Sequence, residues 1–254
     1  MSDDSEIPKQ EITEAADRCL KGITAVGRVV GTVAGMANAL SKDEGLAIKE
    51  VEERLGRGEG VHAILHSLMK DHTHTAPIVQ TVNEMLLCRL VDNFLIYLSN
   101  VISLIYSAEP DRLRFAKINI AANDVFTATN MKSLRNLVIE RHVRDLAYRG
   151  LESLNKYLAQ RDQLDFQLFP DNERRKFLSD MVEIRNLIVH NRGVINATFL
   201  ERVNYLEGQE IGEQPEIPGA MLDGTVELTT SLVFDIDKRV VAKFRLATAK
   251  TVEF

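Results

Sequence analysis

The sequence predicts an all-α protein, a helical bundle with an N-terminal helical extension and a small β element near the C-terminal end. Apolar residues between Ile78 and Tyr106 recur at steps of three and four, which is the spacing of one helix face. The composition is that of a globular chain, with 45% hydrophobic and 27% charged residues and only 6 prolines. These values exclude a fibrous or disordered chain, and 254 residues suffice for one or two domains.

Turn and capping residues bound the other predicted helices. Gly150 is predicted to be a kink, Asp171 the N-cap of the last core helix and Gly193 its stop. The stretch Ala121–Asn130 is predicted to be a loop, and the glycine- and proline-rich Gly208–Gly224 a surface loop. The predicted helices are Ile78–Tyr106, Met131–His142, Val143–Ala159, a helix from Asp171 through Ile188, and Val194–Tyr205.

The two ends of the chain are less regular, and they set the predicted domain boundaries. Ile23–Leu40 is apolar, but it is interrupted by charge and only just long enough for a membrane span, so we interpret it as a soluble helix, a helical hairpin or a loose extension. Thr225–Phe234 is rich in β-branched residues, whereas Asp235–Leu246 has helical spacing. We therefore divide the chain into an extension (1–58), a helical bundle (59–206) and a loop with a C-terminal segment packed on the bundle (207–254).

The termini, cysteines and charge indicate a cytoplasmic protein without a membrane partner. The first residues are acidic and polar, unlike a secretory signal, and the two cysteines, Cys19 and Cys88, cannot form a disulfide framework.

The formal net charge of −6 hides an excess of basic residues in the middle of the chain, between residues 111 and 203. A basic centre between acidic flanks suits contact with a polyanion.

The segment 185–190 (Arg-Asn-Leu-Ile-Val-His) is the strongest candidate for a functional site. On a helical wheel, Arg185 falls inside the apolar arc that ends at Val189, where a guanidinium needs a carboxylate, a phosphate or a partner subunit. Asn186 and His190 project together on the opposite side. Arg185 and His190 are about 140° apart on the helix, so two copies packed about a dyad combine them more easily than one copy does.

Arginine, asparagine and histidine without a metal-ligand set are suited to attack on a phosphodiester. Histidine exchanges protons near neutral pH and arginine stabilises charge on the phosphorane oxygens, while the asparagine orients either of them. The structural alternative is that Arg185 pairs with an acid such as Asp180, or with one beside Glu183, and that His190 caps the helix end near Gly193. By itself the spacing does not decide between the two interpretations.

The run Glu183-Ile-Arg-Asn-Leu-Ile-Val-His-Asn-Arg-Gly-Val-Ile-Asn196 closely resembles the signature of HEPN domains, which is an arginine, a polar residue, a few apolar residues and a histidine on the last core helix of a four-helix bundle. The helix Leu86–Ile105, the region Leu134–Leu158 and the closing stretch from Phe234 to Phe244 are similar to the bacterial RiboL-PSP-HEPN group. The resemblance covers roughly residues 80–246.

This resemblance implies a metal-independent RNA endonuclease, in which the ribose 2′-OH attacks the adjacent phosphate and leaves a 2′,3′-cyclic phosphate and a 5′-OH end. Arg185 then contacts the scissile phosphate, His190 is the general acid or base, and Asn186 positions them, at a site formed by a homodimer. No cofactor or metal is implied, and the biological role is that of a toxin or phage-defence effector, with an antitoxin or other protein as a further partner. The alternative is a catalytically inactive HEPN module that binds RNA, a nucleotide or a protein.

Two other clusters contain residues that could carry chemistry. Arg135, Asn136 and His142 form a second, weaker match to the motif, and we assign Arg141, Arg144 and Arg192 to RNA binding. The histidines His62, His66, His72 and His74 lie near Asp71, but they lack a firm third ligand and the spacing of a zinc protease, so we predict no metal site.

Overall fold

The computed structural model describes residues 9–40, 75–116, 118–147, 150–203 and 209–253. The predicted fold class is confirmed, because the described residues are mainly helical with one small pair of strands. The elements in chain order are β1 (Lys9–Ile12), α1 (Glu14–Leu40), α2 (Thr75–Ala108), a 3-10 helix (Pro110–Phe115), α3 (Ala122–Thr127), α4 (Met131–Ala147), α5 (Leu151–Leu158), α6 (Asn172–Asn191), α7 (Ala197–Arg202), α8 (Gly219–Phe244) and β2 (Lys250–Glu253).

The C-terminal helix differs from the sequence predictions for two segments, the surface loop at 208–224 and the strand-like stretch at 225–234. The β-branched stretch 225–234 is helical, and it lies inside α8, which already begins within the predicted surface loop. Thr225 and Thr229 are fully buried together with Leu232, Val233 and Ile236, and these positions follow the period of a helix. Burial of this face outweighs the β propensity of the individual residues. The small β element is β2, which pairs antiparallel with β1.

The chain forms two compact units. Unit 1 consists of residues 1–22, 91–182 and 228–254, and unit 2 of residues 23–90 and 183–227. The core of unit 1 is large and aromatic, with Phe94, Tyr97, Tyr106 and Phe169 almost completely buried. The described core residues of unit 2 include Leu87, Leu90, Ile184, Leu187, Ile195, Phe199, Ile217, Met221 and Leu222.

A buried carboxylate of α8 holds the beginning of α1 in unit 1. Asp237, which is fully buried, accepts hydrogen bonds from the backbone N–H of Thr13 at 2.8 Å and from its hydroxyl at 2.7 Å. The Thr13 hydroxyl oxygen in turn accepts from the N–H of Ala16 at 3.2 Å, so Thr13 is the N-cap of α1. Strand β1 directly precedes this cap and pairs with β2 from Lys9–Glu253 to Ile12–Lys250.

Arg239 of α8 holds the loop between α5 and α6. Its guanidinium donates to the carbonyls of Gln167 and Leu168, both at 2.6 Å, and to the Asp235 carboxylate at 2.8 Å. It also lies over the ring of Phe166, 5.0 Å from the centroid. Arg239, which lies in the closing stretch from Phe234 to Phe244, therefore makes structural contacts within unit 1.

In the same unit, α1 and α2 approach each other closely at Gly22. A Cβ added to Gly22 would lie 2.6 Å from Nδ2 and 2.7 Å from Oδ1 of Asn93. The Asn93 amide cannot move freely, because it donates a hydrogen bond to the carbonyl of Cys19 at 2.7 Å. The absence of a side chain at residue 22 is therefore what permits this contact.

We expect Gly22→Ala to destabilise the protein by about 1–3 kcal/mol, since overpacking outweighs the gain in helix propensity of about 1 kcal/mol. Gly27→Ala is the matched control in the same helix, because among the described residues no atom beyond the adjoining helix backbone lies within 4 Å of its added Cβ. That variant should be more stable than wild type by about 0.5–1 kcal/mol. Urea unfolding curves measure both changes, and equal effects of the two substitutions would contradict the close contact.

Helix α2 is the most apolar of the described helices. Its stretch Val79–Ala108 is long and apolar enough to cross a membrane by length and composition alone, with a mean hydropathy of 1.5. However, 44% of its apolar window is buried inside the protein, and a core helix of a soluble protein meets the same criterion. Its buried residues, which include Leu90, Phe94, Tyr97 and Val101, belong to the cores of the two units.

Candidate functional site

The candidate motif lies in the second half of α6, whose beginning is capped as predicted. The Asp171 carboxylate accepts from the N–H groups of Glu173 at 2.9 Å and Arg174 at 3.2 Å, which confirms Asp171 as the N-cap. Farther along the helix, the buried positions recur every three residues and lead up to the motif: Leu178, Met181, Ile184 and Leu187.

The buried stripe of α6 is narrower than the apolar arc predicted from the sequence. Val189 is 50% exposed, so the apolar arc of the helix extends beyond the stripe that is buried. The buried stripe is centred near Ile184, which places Arg185 at its edge. Arg185 is half-buried, its Nε atom is buried, and its Nη1 donates to Oδ1 of Asn186 at 3.1 Å. This bond joins the guanidinium to the side chain of the next residue in the helix.

His190 is exposed in the last turn of α6. The helix ends one residue later, and Arg192 and Gly193 follow with φ of 53° and 72°. The N–H of Gly193 donates back to the carbonyl of Leu187 at 3.1 Å, which confirms Gly193 as part of the helix stop. Arg192 is also exposed, so two polar side chains of the predicted site, His190 and Arg192, reach solvent at this helix end.

A second segment of unit 2 supports the chain beyond the motif. Ile195 donates its N–H to Glu213 at 2.8 Å and accepts from Gly212 at 2.9 Å, so the two segments pair locally. The side chain of Gln214 donates to the carbonyl of Arg192 at 3.2 Å. Sequence patterns did not reveal this support, because the pairing joins two irregular segments.

Two amide side chains of α2 then hold the supporting segment in place. Gln80 donates to the carbonyl of Pro215 at 2.8 Å and accepts from the N–H of Ile217 at 3.0 Å. Asn83 donates to the carbonyl of Ile217 at 2.8 Å. The helix end that carries His190 is thus connected through hydrogen bonds to α2.

Two acidic residues of α6, Glu183 and Asp180, lie close to Arg185 in the sequence. Glu183 pairs with Arg202 of α7 at 3.6 Å, an ion pair that is partly exposed. Asp180 is buried, with 6% exposure. The Arg185 guanidinium also donates a hydrogen bond to the neighbouring Asn186.

The residues assigned to RNA binding are divided between the two units. Arg192 belongs to unit 2 with the motif, whereas Arg141 and Arg144 belong to unit 1. Arg141 pairs with Asp124 at 3.0 Å, and Arg144 is exposed.

The second motif match does not place its histidine at the surface. His142 is 3% exposed, and its Nε2 lies 3.3 Å from the hydroxyls of Tyr106 and Tyr157. A histidine enclosed in this way belongs to the core of unit 1. The first match, with exposed His190, is therefore the better candidate.

The basic excess of the central chain is not found around the motif. The described residues 183–203 and 209–227 contain three arginines against seven acidic residues. The arginines are Arg185, Arg192 and Arg202, and the acidic residues are Glu183, Glu201, Glu210, Glu213, Glu216, Asp223 and Glu227. A nucleic acid bound here would therefore depend on a few well-placed cations rather than on a broad positive field.

No metal-binding cluster is found in the part of the chain that the structure describes. No group of three or more histidine, cysteine or acidic side chains there could hold a metal ion. The histidines at 62–74 and Asp71 lie outside the described residues. Burial raises the pKa of the Cys19 thiol to about 12, so this cysteine is predominantly a neutral thiol at physiological pH.

The structure also reveals apolar side chains near the helix end that sequence reasoning did not select. In unit 2, Val189, Val194 and Ile211 are 50%, 36% and 64% exposed. Single exposed apolar residues are common, but these flank His190 in sequence or lie in the segment that supports it. Periodicity cannot identify them, because it assigns apolar residues to the inside.

Fold and site together define a helical protein with an Arg–Asn–His set on one helix. Comparison with known proteins gives no match to a family profile, a curated protein or a solved structure.

Proposed function

We propose that this protein is a metal-independent RNA endonuclease of the HEPN type. The observation that carries the proposal is the arrangement on α6: an exposed His190 lies five residues beyond an arginine that donates a 3.1 Å hydrogen bond to Asn186. A histidine that reaches solvent can approach a bound substrate, and an oriented guanidinium is a good ligand for a phosphate.

The reaction assigns a separate task to each residue. The 2′-OH of a ribose attacks the adjacent phosphorus as its proton passes to a base, and the bond to the 5′ oxygen of the next nucleotide breaks as that oxygen gains a proton. His190 serves as acid or base in this exchange. Arg185 neutralises the charge that develops on the non-bridging oxygens, and Asn186 holds its guanidinium.

The site we propose combines residues from two copies of the chain. Arg185 and His190 are five residues apart on one helix, and their side chains therefore diverge by about 140°. In a twofold dimer, Arg185 of one copy can face His190 of the other. The exposed Val189, Val194 and Ile211 provide apolar surface for such a contact.

The direct test is cleavage of RNA in EDTA. We expect the purified protein to release products with 5′-OH and 2′,3′-cyclic phosphate ends, and we expect Arg185→Ala and His190→Ala to slow cleavage by about 10²–10⁴-fold. Arg202→Ala is the matched control, because this arginine of the same unit is 60% exposed and pairs with Glu183. Cleavage that requires a divalent metal, or that survives both substitutions, would contradict the proposal.

A second candidate function is an inactive module of the same type that binds a partner without cleaving it. The acidic excess around the motif favours this candidate, because it weakens long-range attraction to RNA. The same assay separates the two functions. A protein that binds labelled RNA or another partner, but leaves RNA intact at all protein concentrations, is a binding module.

A further inference from the structure

An exposed aromatic ring lies where α3 meets α4 in unit 1. Phe126 is 87% exposed, and the nearby Val125 and Met131 are 42% and 77% exposed. We call the surface formed by Val125, Phe126, Met131, Lys132 and Arg135 the α3–α4 junction. Phe126 and Met131 are five residues apart, so their Cα atoms are separated by at most about 18 Å.

The junction is held in place although it contributes nothing to the core. Helix α3 contains no buried residue. Its Asp124 pairs with Arg141 of α4 at 3.0 Å, which ties the two helices together. At the start of α4, the N–H of Ser133 donates to Oδ1 of Asn130 at 2.9 Å, while the N–H of Asn130 donates to the Ser133 hydroxyl at 3.1 Å. An ordered backbone therefore presents a ring that is not needed for folding.

The junction as defined contains two basic residues and no acidic one. The neighbouring Asp124 is already paired with Arg141 at 3.0 Å. Lys132 and Arg135 are exposed, and neither forms an ion pair within the described part of the chain. Lys132 and Arg135, which follow Phe126 in the chain at the start of α4, are therefore available to an anionic partner.

We propose that the α3–α4 junction is a stacking platform for single-stranded RNA, with a base on Phe126 and phosphates on Lys132 and Arg135. This inference rests on the proposed function for the identity of the polymer. Aromatic side chains beside cations are the general means of binding single strands, since every base has a face that stacks.

The surroundings of the ring favour a base over a lipid surface or an apolar protein partner. Asn123, Thr127, Thr129 and Asn130 are polar and exposed around Phe126. A membrane anchor or the core of a protein interface requires a continuous apolar area, whereas a nucleobase offers an apolar face with polar edges. Exposed polar residues separate Phe126 from Met131 in the chain, and such a mixed surface fits a base better than it fits a continuous apolar partner.

Fluorescence anisotropy with a labelled 12-nucleotide single-stranded RNA tests the platform. The full-length protein carries His190→Ala throughout, so that the RNA remains intact. Phe126→Leu keeps an apolar side chain but removes the ring, and we expect it to weaken binding by about tenfold, whereas Phe126→Tyr keeps the affinity within about twofold. A perfectly paired RNA duplex should bind equally to all three proteins.

The charged part of the platform is tested through the salt dependence of binding. Lys132→Gln and Arg135→Gln should each reduce the slope of log Kd against log salt by about 0.7. Arg161→Gln is the control, because Arg161 is an exposed cation of the same unit outside the junction. The slope of this control should stay at the value of the parent protein.

Three results would overturn the platform: no binding of single-stranded RNA, equal affinity of the Leu and Tyr variants, or ring-dependent binding to phosphatidylcholine–phosphatidylglycerol vesicles in place of RNA. A failure of the proposed RNA platform can be distinguished from a failure of the proposed nuclease activity. Ring-dependent RNA binding by a protein that cannot cleave supports the platform alone. RNA cleavage by the protein with native His190 that is unchanged by Phe126→Leu supports the nuclease alone.

Discussion

An equal mixture of Arg185→Ala and His190→Ala proteins is expected to cleave RNA at about a quarter of the wild-type rate, although each protein alone is inactive. In a twofold dimer with Arg185 and His190 from different copies, each mixed dimer retains one intact site and loses both residues of the other. Random assortment makes half of the dimers mixed. The subunits are exchanged by co-refolding before RNA cleavage is measured in EDTA.

The control for this experiment is a mixture of Arg185→Ala with the double variant Arg185→Ala/His190→Ala. It contains no native Arg185, so no assortment of its subunits restores a site. A first mixture that remains inactive, while the wild-type protein cleaves and mixed dimers are detected by mass, would show that the two residues act within one copy. That result would contradict a site shared between two copies. The catalytic roles proposed for Arg185 and His190 would be unaffected.

Asp237→Ala is expected to destabilise the protein by about 3 kcal/mol, a large loss for a single substitution. The variant leaves the N–H and hydroxyl of buried Thr13 without the carboxylate that accepts from them at 2.8 and 2.7 Å. Asp235→Ala is the matched control on the same helix. Its carboxylate is 43% exposed and pairs with Arg239, so the expected change is below about 1 kcal/mol. Urea unfolding that places Asp237→Ala within about 1 kcal/mol of wild type would contradict the role of this carboxylate.

The same carboxylate makes stability depend on pH. Burial raises the pKa of Asp237 above its unperturbed value of 3.8, against the opposing effect of the Thr13 hydrogen bonds. Because the pKa in the folded state is the higher one, ionisation disfavours folding, and the wild-type protein loses stability as pH rises from 3.8 through that pKa. Asp237→Asn cannot ionise, so its stability relative to wild type should increase over this interval.

The ends of α6 could be predicted from single residues, because capping is a local interaction. Asp171 accepts from two N–H groups of the first turn, and Gly193 adopts the positive φ that a helix stop requires. The Arg–Asn–His set was found in the same way, from spacing on one helix. What spacing could not give is the exposure of Val189, because the width of a buried stripe depends on what packs against it.

The C-terminal elements were the least predictable part of the fold. Residues 225–234 favour a strand by composition, yet Thr225 and Thr229 are buried on one face of α8. Strand β2 is short, and its partner β1 lies near the other end of the chain, so no local pattern reveals the pair. The contact of Gly22 with Asn93 was equally invisible, because it joins two helices far apart in sequence.

The sequence by itself determined the helical class, the limits of α6 and the identity of Arg185, Asn186 and His190 as candidate residues. These features depend on periodicity, capping and residue chemistry, all of which act over a few neighbouring positions. Only the tertiary structure decided that His142 is enclosed while His190 is exposed. It also decided that the Asp237 carboxylate is buried against Thr13. Those properties depend on packing between segments distant in the chain, and burial, not residue type, determines whether a polar group is available to a partner.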